Sequence, residues 1–184
     1  MIYDEVLKGK NITLRMVELS DCNKNYYDWL NDKETNQYME TRWSEQSIES
    51  IKDFVTSIRN SNHSYLFAII YDGQHVGNIK IGPIHPIYKH ADVSYFIGNK
   101  NVWGRGIATE AIILATKFAF EVLKLNKLQA GAFEQNVGSQ KALLKAGYKQ
   151  EGIFRKKVFL TSPENYCDIY EYGILSSEYK KELP

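Results

Sequence analysis

Asn99-Lys-Asn-Val-Trp-Gly-Arg-Gly-Ile-Ala-Thr-Glu110 is the stretch on which the reading of this chain turns. Gly104 and Gly106 sit between an alternating strand pattern and an amphipathic helix. Such a turn leaves the first N–H groups of the helix without intrahelical partners, and the aligned peptide dipoles add partial positive charge there. The result is a cradle for a phosphate or pyrophosphate. A plain helix-opening turn is the competing explanation. Two glycines are a costly way to start a helix, however, unless the backbone must come close to something.

The pattern extends in both directions from this turn. Upstream, Ala91-Asp-Val-Ser-Tyr-Phe-Ile-Gly98 alternates as a strand, with Ala91, Val93, Tyr95 and Ile97 on one face and Asp92, Ser94 and Phe96 on the other. Downstream, Ile107, Ala111, Ala115, Phe118 and Val122 mark the buried stripe of a helix ending near Lys124. Lys10 to Val17 reads as a first strand, and Ser20 or Asp21 as the cap of a short helix through Leu30. A second helix from about Ser44 to Arg59 carries Ile48, Ile51, Phe54, Val55 and Ile58 on its apolar face. Tyr65–Tyr71 and His75–Ile81 flank Asp72-Gly73 as a hairpin.

Beyond the glycine turn and its helix, Lys127–Phe133 is a strand. Asn136 caps a helix over Val137–Ala146 that Gly147 stops. Two strands, about Tyr148–Leu160 and Tyr166–Leu175, close the chain. The order predicts an α/β (α+β) fold, a mixed and mostly antiparallel central sheet with flanking helices, as a single domain over residues 1–184.

Composition narrows the function classes. The chain is 43% hydrophobic and 24% charged, as globular proteins are. A net charge of +1 gives no overall bias toward nucleic acid or an anionic membrane. No apolar run approaches the roughly 20 residues that cross a bilayer, and the N-terminus lacks a signal-peptide pattern. A cytoplasmic location with reduced thiols at Cys22 and Cys167 is expected. His63, His75, His85 and His90 form no ligand motif, so no metal is expected.

Three phosphate ligands compete for the turn. A P-loop needs Lys-Ser or Lys-Thr after its second glycine, and Ile107-Ala108 stands there instead. A dinucleotide fingerprint needs a third Gly or Ala, and Thr109 misses it; the next strand also lacks a ribose-binding acid at its end, with Glu134 a little beyond. Coenzyme A remains. Here the chain resembles the GNAT superfamily of N-acetyltransferases. The likeness lies in Asn101-Val-Trp-Gly104-Arg-Gly106, in the strand and long helix around it, and in Asn136-Val-Gly-Ser139 with Lys145-Ala-Gly-Tyr148. Asn101 departs from the family's usual Gln or Arg.

The resemblance implies acetyl-CoA as donor substrate, no metal, and direct transfer of acetyl to a primary amine. It implies that Phe96, Ile97 and Gly98 hold the thioester carbonyl and pantetheine arm through backbone N–H groups. Val102, Trp103, Gly104, Arg105, Gly106, Ile107 and Ala108 would hold the diphosphate, and Asn136 and Ser139 the arm. Asp92 falls where the family often has a base, and it reads equally as a plain strand carboxylate. The family's acidic tyrosine falls on Leu144, which has no proton to give. Ser139 is a substitute acid or simply a helix N-terminal hydrogen bonder.

Tyr27 to Glu40 resembles the branch of ribosomal-protein N-terminal alanine acetyltransferases and of enzymes acetylating nucleotide-linked amino sugars. Glu34, Tyr38, Glu40 and Arg42 are acceptor-pocket candidates or a solvated helix end, and His85 and Tyr88 are weaker ones. A small amine, such as a nucleotide-linked amino sugar, is slightly favoured over a protein N-terminus, with an inactive CoA-binding module as the further alternative. No nucleic-acid or membrane partner is expected, and a homodimer is compatible with the resemblance.

Overall fold

The computed structural model describes residues 3–179. Its strands are β1 (Leu7–Lys8), β2 (Ile12–Met16), β3 (Tyr65–Tyr71), β4 (Gln74–His85), β5 (His90–Ile97), β6 (Lys127–Phe133), β7 (Lys149–Phe159) and β8 (Tyr166–Leu175). Its α-helices are α1 (Lys24–Asn31), α2 (Lys33–Asn36), α3 (Ile48–Asn60), α4 (Ile107–Glu121) and α5 (Val137–Lys145). The strands form one eight-stranded sheet in the order β1-β2-β3-β4-β5-β6-β8-β7. Neighbours are antiparallel except β5 and β6. The mixed, mostly antiparallel sheet with flanking helices is thus present.

Period-two alternation sorts the side chains to two faces. Leu14, Phe67, Ile79, Val93, Leu128 and Tyr172 meet Ala111, Ile112, Ala115 and Phe118 of α4 in the larger core. Val17, Leu66 and Ala68 meet Tyr26 and Leu30 of α1 and Ile51 and Val55 of α3 on the opposite face. The Asp72-Gly73 pair turns the β3–β4 hairpin with both residues at positive φ, as a two-residue hairpin loop requires.

Several boundaries move from their sequence positions. Asn23, rather than Ser20 or Asp21, caps α1, by accepting from the N–H groups of Asn25 and Tyr26. Ser47, rather than Ser44, caps α3, in a reciprocal pair with Ser50. Phe54 was expected in the core and is 43% exposed, because it faces a cavity instead. Val122 lies past the end of α4 and is 47% exposed. No helix among the described residues is long and apolar enough to cross a membrane.

One buried ion pair ties β2 to the segment before α1. Both guanidinium nitrogens of Arg15 donate to Asp21 at 2.7 Å. Burial would raise the Asp21 carboxyl, but the Arg15 hydrogen bonds and the Glu18 N–H outweigh it and hold it below the usual value of 3.8. A lowered folded-state pKa contributes stability above the unfolded value and loses it as pH falls through the folded one. Asp21→Asn is therefore expected to cost roughly 3 kcal/mol at pH 7, the low end for a broken buried pair because Arg15 is partly exposed. The deficit should shrink below about pH 4, as urea unfolding at several pH values would show.

Candidate functional site

β5 and β6 pair over three positions only, His90 with Lys127, Ala91 with Leu128 and Asp92 with Gln129. Beyond these, β6 follows β8 through Phe133, and β5 runs on against β4. A gap opens between them. Gly98 N–H donates to Val76 carbonyl at 2.8 Å, so it is committed to β4. Antiparallel ladders alternate, so Phe96 shares that orientation, while Tyr95 and Ile97 turn their N–H groups toward the gap. Of the three residues expected to offer N–H groups here, Ile97 turns its N–H to the gap, while those of Phe96 and Gly98 face β4. Gly98 serves another purpose: a Cβ there would fall 2.1 Å from the Trp29 ring, so its bareness lets α1 close over the strand end.

The glycine turn lies at the same end of β5. Gly104 and Gly106 have φ of 75° and 79°, and nothing lies within 4 Å of where a Cβ would stand on either. The corner is open, and left-handed backbone explains both glycines. Gly106 caps α4 without any side-chain hydrogen bond, so the first-turn N–H groups of Ile107 and Ala108 keep no side-chain cap. Arg105 is exposed beside them. Trp103 Nε1 donates to Ile97 carbonyl at 2.8 Å and staples the turn to the strand, while Val102 is buried beneath it. The Glu110 carboxylate accepts from Asn11 N at 2.8 Å and Asn11 Nδ2 at 3.0 Å, anchoring the first turn of α4 to β2.

A cavity of about 1130 Å³ adjoins the gap. Asn136 and Ser139 line it from the α5 side, Tyr95 from β5, and Tyr38, Glu40 and Phe54 from the helical side. Asn136 also caps α5 through Ser139 N–H. Ser139 Oγ lies 2.8 Å from the Tyr95 hydroxyl. Burial pushes that phenol up to about 12, so it stays protonated. Leu144 is 52% exposed and outside the lining. Asp92 faces the cavity, and its Oδ1 accepts from Gln129 Nε2 at 2.7 Å.

Two expected acceptor residues lie elsewhere. Glu34 is exposed and shares Lys100 with Asp32, at 3.0 and 2.9 Å. This draws it away from the cavity. His85 stacks on Tyr88 at 4.6 Å and on His90 at 5.2 Å, at the far end of β5. Tyr38 does line the cavity, packed on Phe133 at 5.5 Å. Arg42 instead braces the β7 end, its guanidinium donating to Met39 and Phe159 carbonyls. Among the lining residues that the sequence reading did not single out for the site are Tyr95, Asn78 and Glu171. Asn78 Oδ1 lies 2.8 Å from His75 Nε2, and its Nδ2 is buried without a partner. Among the described residues, no cluster of His, Cys, Asp and Glu could hold a metal ion.

The family model for the acetyltransferase (GNAT) domain matches residues 11–149. The chain belongs to this family: it is an N-acetyltransferase that takes its acetyl group from acetyl-CoA. The Probable N-acetyltransferase YjcK of Bacillus subtilis is 29% identical over 165 residues, covering 83% of this chain and 88% of YjcK. Spermidine N(1)-acetyltransferase of Escherichia coli K12 is 23% identical, covering 94% of this chain and 90% of its own. The crystal structure of spermidine N-acetyltransferase from Vibrio cholerae, in complex with CoA and spermine, shares the fold with a TM-score of 0.82. It covers 92% of this chain and 98% of that one, at 20% identity.

Gly104→Val and Gly106→Val are each expected to weaken acetyl-CoA binding at least ~100-fold. A β-branched residue resists positive φ and crowds the approach of a diphosphate. Calorimetric titration measures this, and micromolar binding retained in both variants would remove the cradle assignment.

Proposed function

We propose that the acceptor is a small, cationic primary amine, acetylated directly by acetyl-CoA in a chain that works as one domain. The carrying observation is the cavity wall: Glu40, Asp92, Glu151 and Glu171 line it with Lys80 and Lys157, and since Arg42 pairs Glu40 and Lys127 pairs Glu151, Asp92 and Glu171 are its carboxylates outside an ion pair among the described residues. A cleft with an excess of one sign of charge and low-dielectric walls concentrates ligands of the other sign. Spermidine, named as the substrate of two of the similar proteins, is an amine of this kind. A nucleotide-linked amino sugar would bring its diphosphate against the same carboxylates, so the wall supports the polyamine-like acceptor over the sugar.

The chemistry makes three demands. The ammonium must lose a proton, the tetrahedral oxyanion needs an N–H donor, and the thiolate must leave. Ile97 N–H, turned to the gap, fits the second role. Asp92, set beside the gap and fixed by Gln129, attracts the ammonium. The Tyr95–Ser139 pair supplies donors for the departing sulfur in place of Leu144. Asn136 borders the path of the pantetheine arm. Assembly as a homodimer is part of this reading; the exposed Ile153 and Phe154 on edge strand β7 support it, and sedimentation of the purified chain would decide it.

CoA-thiol release with spermidine, spermine, a nucleotide-linked amino sugar and a short alanine-terminated peptide tests the acceptor. The polyamines are expected to exceed the others in kcat/KM by about tenfold or more, the scale of a single favourable charge contact. Preference for the sugar or the peptide would overturn the reading. Acetyl-CoA binding without release for any amine would favour the CoA-binding module instead. Tyr95→Phe is expected to lower kcat about 100-fold with acetyl-CoA affinity little changed; wild-type kcat in that variant would dismiss Tyr95 as a donor.

A further inference from the structure

Glycine is a poor choice inside a strand, where it adds flexibility and packs nothing. Yet Gly131 on β6 and Gly152 on β7 both stand opposite one residue of β8, Glu171. Both glycines are exposed on the sheet. The Glu171 carboxylate uses the first of these spaces. A Cβ built on Gly131 would fall 3.1 Å from Glu171 Oε1 and 3.2 Å from Ile169 Cγ2. The side chain therefore leans over the backbone of β6, toward the gap between β5 and β6, and it lines the cavity. The missing side chain of Gly131 gives this carboxylate its room, while nothing lies within 4 Å of where a Cβ on Gly152 would stand.

We propose that Glu171 takes the proton from the acceptor ammonium. This rests on the reading of the chain as an amine acetyltransferase that binds its acceptor in the cavity. The ammonium N–H bond breaks and its proton goes to a Glu171 oxygen, leaving a neutral amine. The nitrogen lone pair attacks the thioester carbonyl carbon, and a C–N bond forms. The tetrahedral intermediate collapses, the C–S bond breaks, and the electron pair leaves on sulfur. The nitrogen loses its second proton to become an amide, sulfur takes up one proton, and Glu171 returns the other to water through the open cavity mouth.

The surroundings suit this role better than those of Asp92. Asp92 accepts a hydrogen bond from Gln129, whereas no hydrogen bond to the Glu171 carboxylate is found among the described residues. Three charged groups bear on Glu171 from the strands around it. Lys157 on β7 opposes protonation, while Asp92 on β5 and Glu151 on β7 favour it. Glu151 is itself paired with Lys127 of β6 at 2.5 Å. Lys80 of β4 borders the same cavity. Burial is the largest influence, and the balance lifts Glu171 above the ordinary carboxylate value. A lifted carboxylate is a stronger base toward an ammonium near neutrality.

The test is the pH dependence of kcat/KM for wild type, Glu171→Gln, Glu171→Asp and Asp92→Asn, with the most active amine of the panel above. Acetyl-CoA affinity serves as the check on folding. Glu171→Gln is expected to lose about 100-fold or more in kcat, with affinity for acetyl-CoA unchanged and the ascending pH limb gone. Glu171→Asp should recover part of the rate and keep a limb. Gly131→Ala should lower kcat while the limb survives, because it displaces the carboxylate without removing it. A Glu171→Gln variant within threefold of wild type, or one that keeps its limb while Asp92→Asn loses it, overturns the proposal. If wild type turns over no amine, the acceptor reading has failed before any variant is compared. Carboxyl-carbon NMR of the ligand-free protein then still decides the matter: a Glu171 titration at or below the ordinary glutamate value overturns the proposal.

Discussion

The parting of β5 from β6 after three paired residues is the constraint on which the site depends. A parallel pair that continued to Ile97 would have filled its ladder and left neither cavity nor free N–H groups. Each backbone amide that leaves a ladder must find another partner, since an orphaned buried donor costs about as much as a lost hydrogen bond. The fold meets this cost by giving β6 to β8 along its whole length and β5 to β4, so each diverging strand keeps one partner. What remains unpaired are the inner edges that border the gap.

The turn after β5 completes the arrangement from one end. Trp103 binds the last carbonyl of β5, Gly104 and Gly106 reverse the chain through left-handed backbone, and α4 starts uncapped. Glu110 fastens its first turn to β2, with its carboxylate held by Asn11. A mobile helix start would lose the alignment of its first N–H groups with each excursion. The buried stripe of α4 against the sheet prevents that, so the same apolar residues that stabilise the fold also aim the amides.

Much of this was legible in the sequence, for a local reason. Strand alternation, helical spacing and glycine pairs are short-range signals, and they gave the element order and the open glycine turn. The cavity was less legible because its sheet wall is built across β5, β6, β7 and β8, which lie side by side only after folding. Glu34 looked like a pocket residue from its neighbours in sequence, but Lys100 claims it. His85 followed a strand, yet it sits at the end of β5 opposite to the glycine turn. Glu171 carried no motif. Its signal was indirect: glycines at 131 and 152 inside otherwise regular strands, whose common partner cannot be named without the β6-β8-β7 register.

The far bank of the cavity shows how a buried polar group is made directional. Arg15 holds Asp21, Asp21 lies 3.9 Å from His75 Nδ1, and His75 Nε2 meets Asn78 Oδ1. Burial lowers the His75 pKa, which keeps the ring neutral with one N–H. If that proton is on Nε2, the tautomer that a carbonyl oxygen selects, the amide of Asn78 cannot flip without losing its acceptor contact. Its Nδ2 is then held in one buried orientation, beside the Tyr26 side chain.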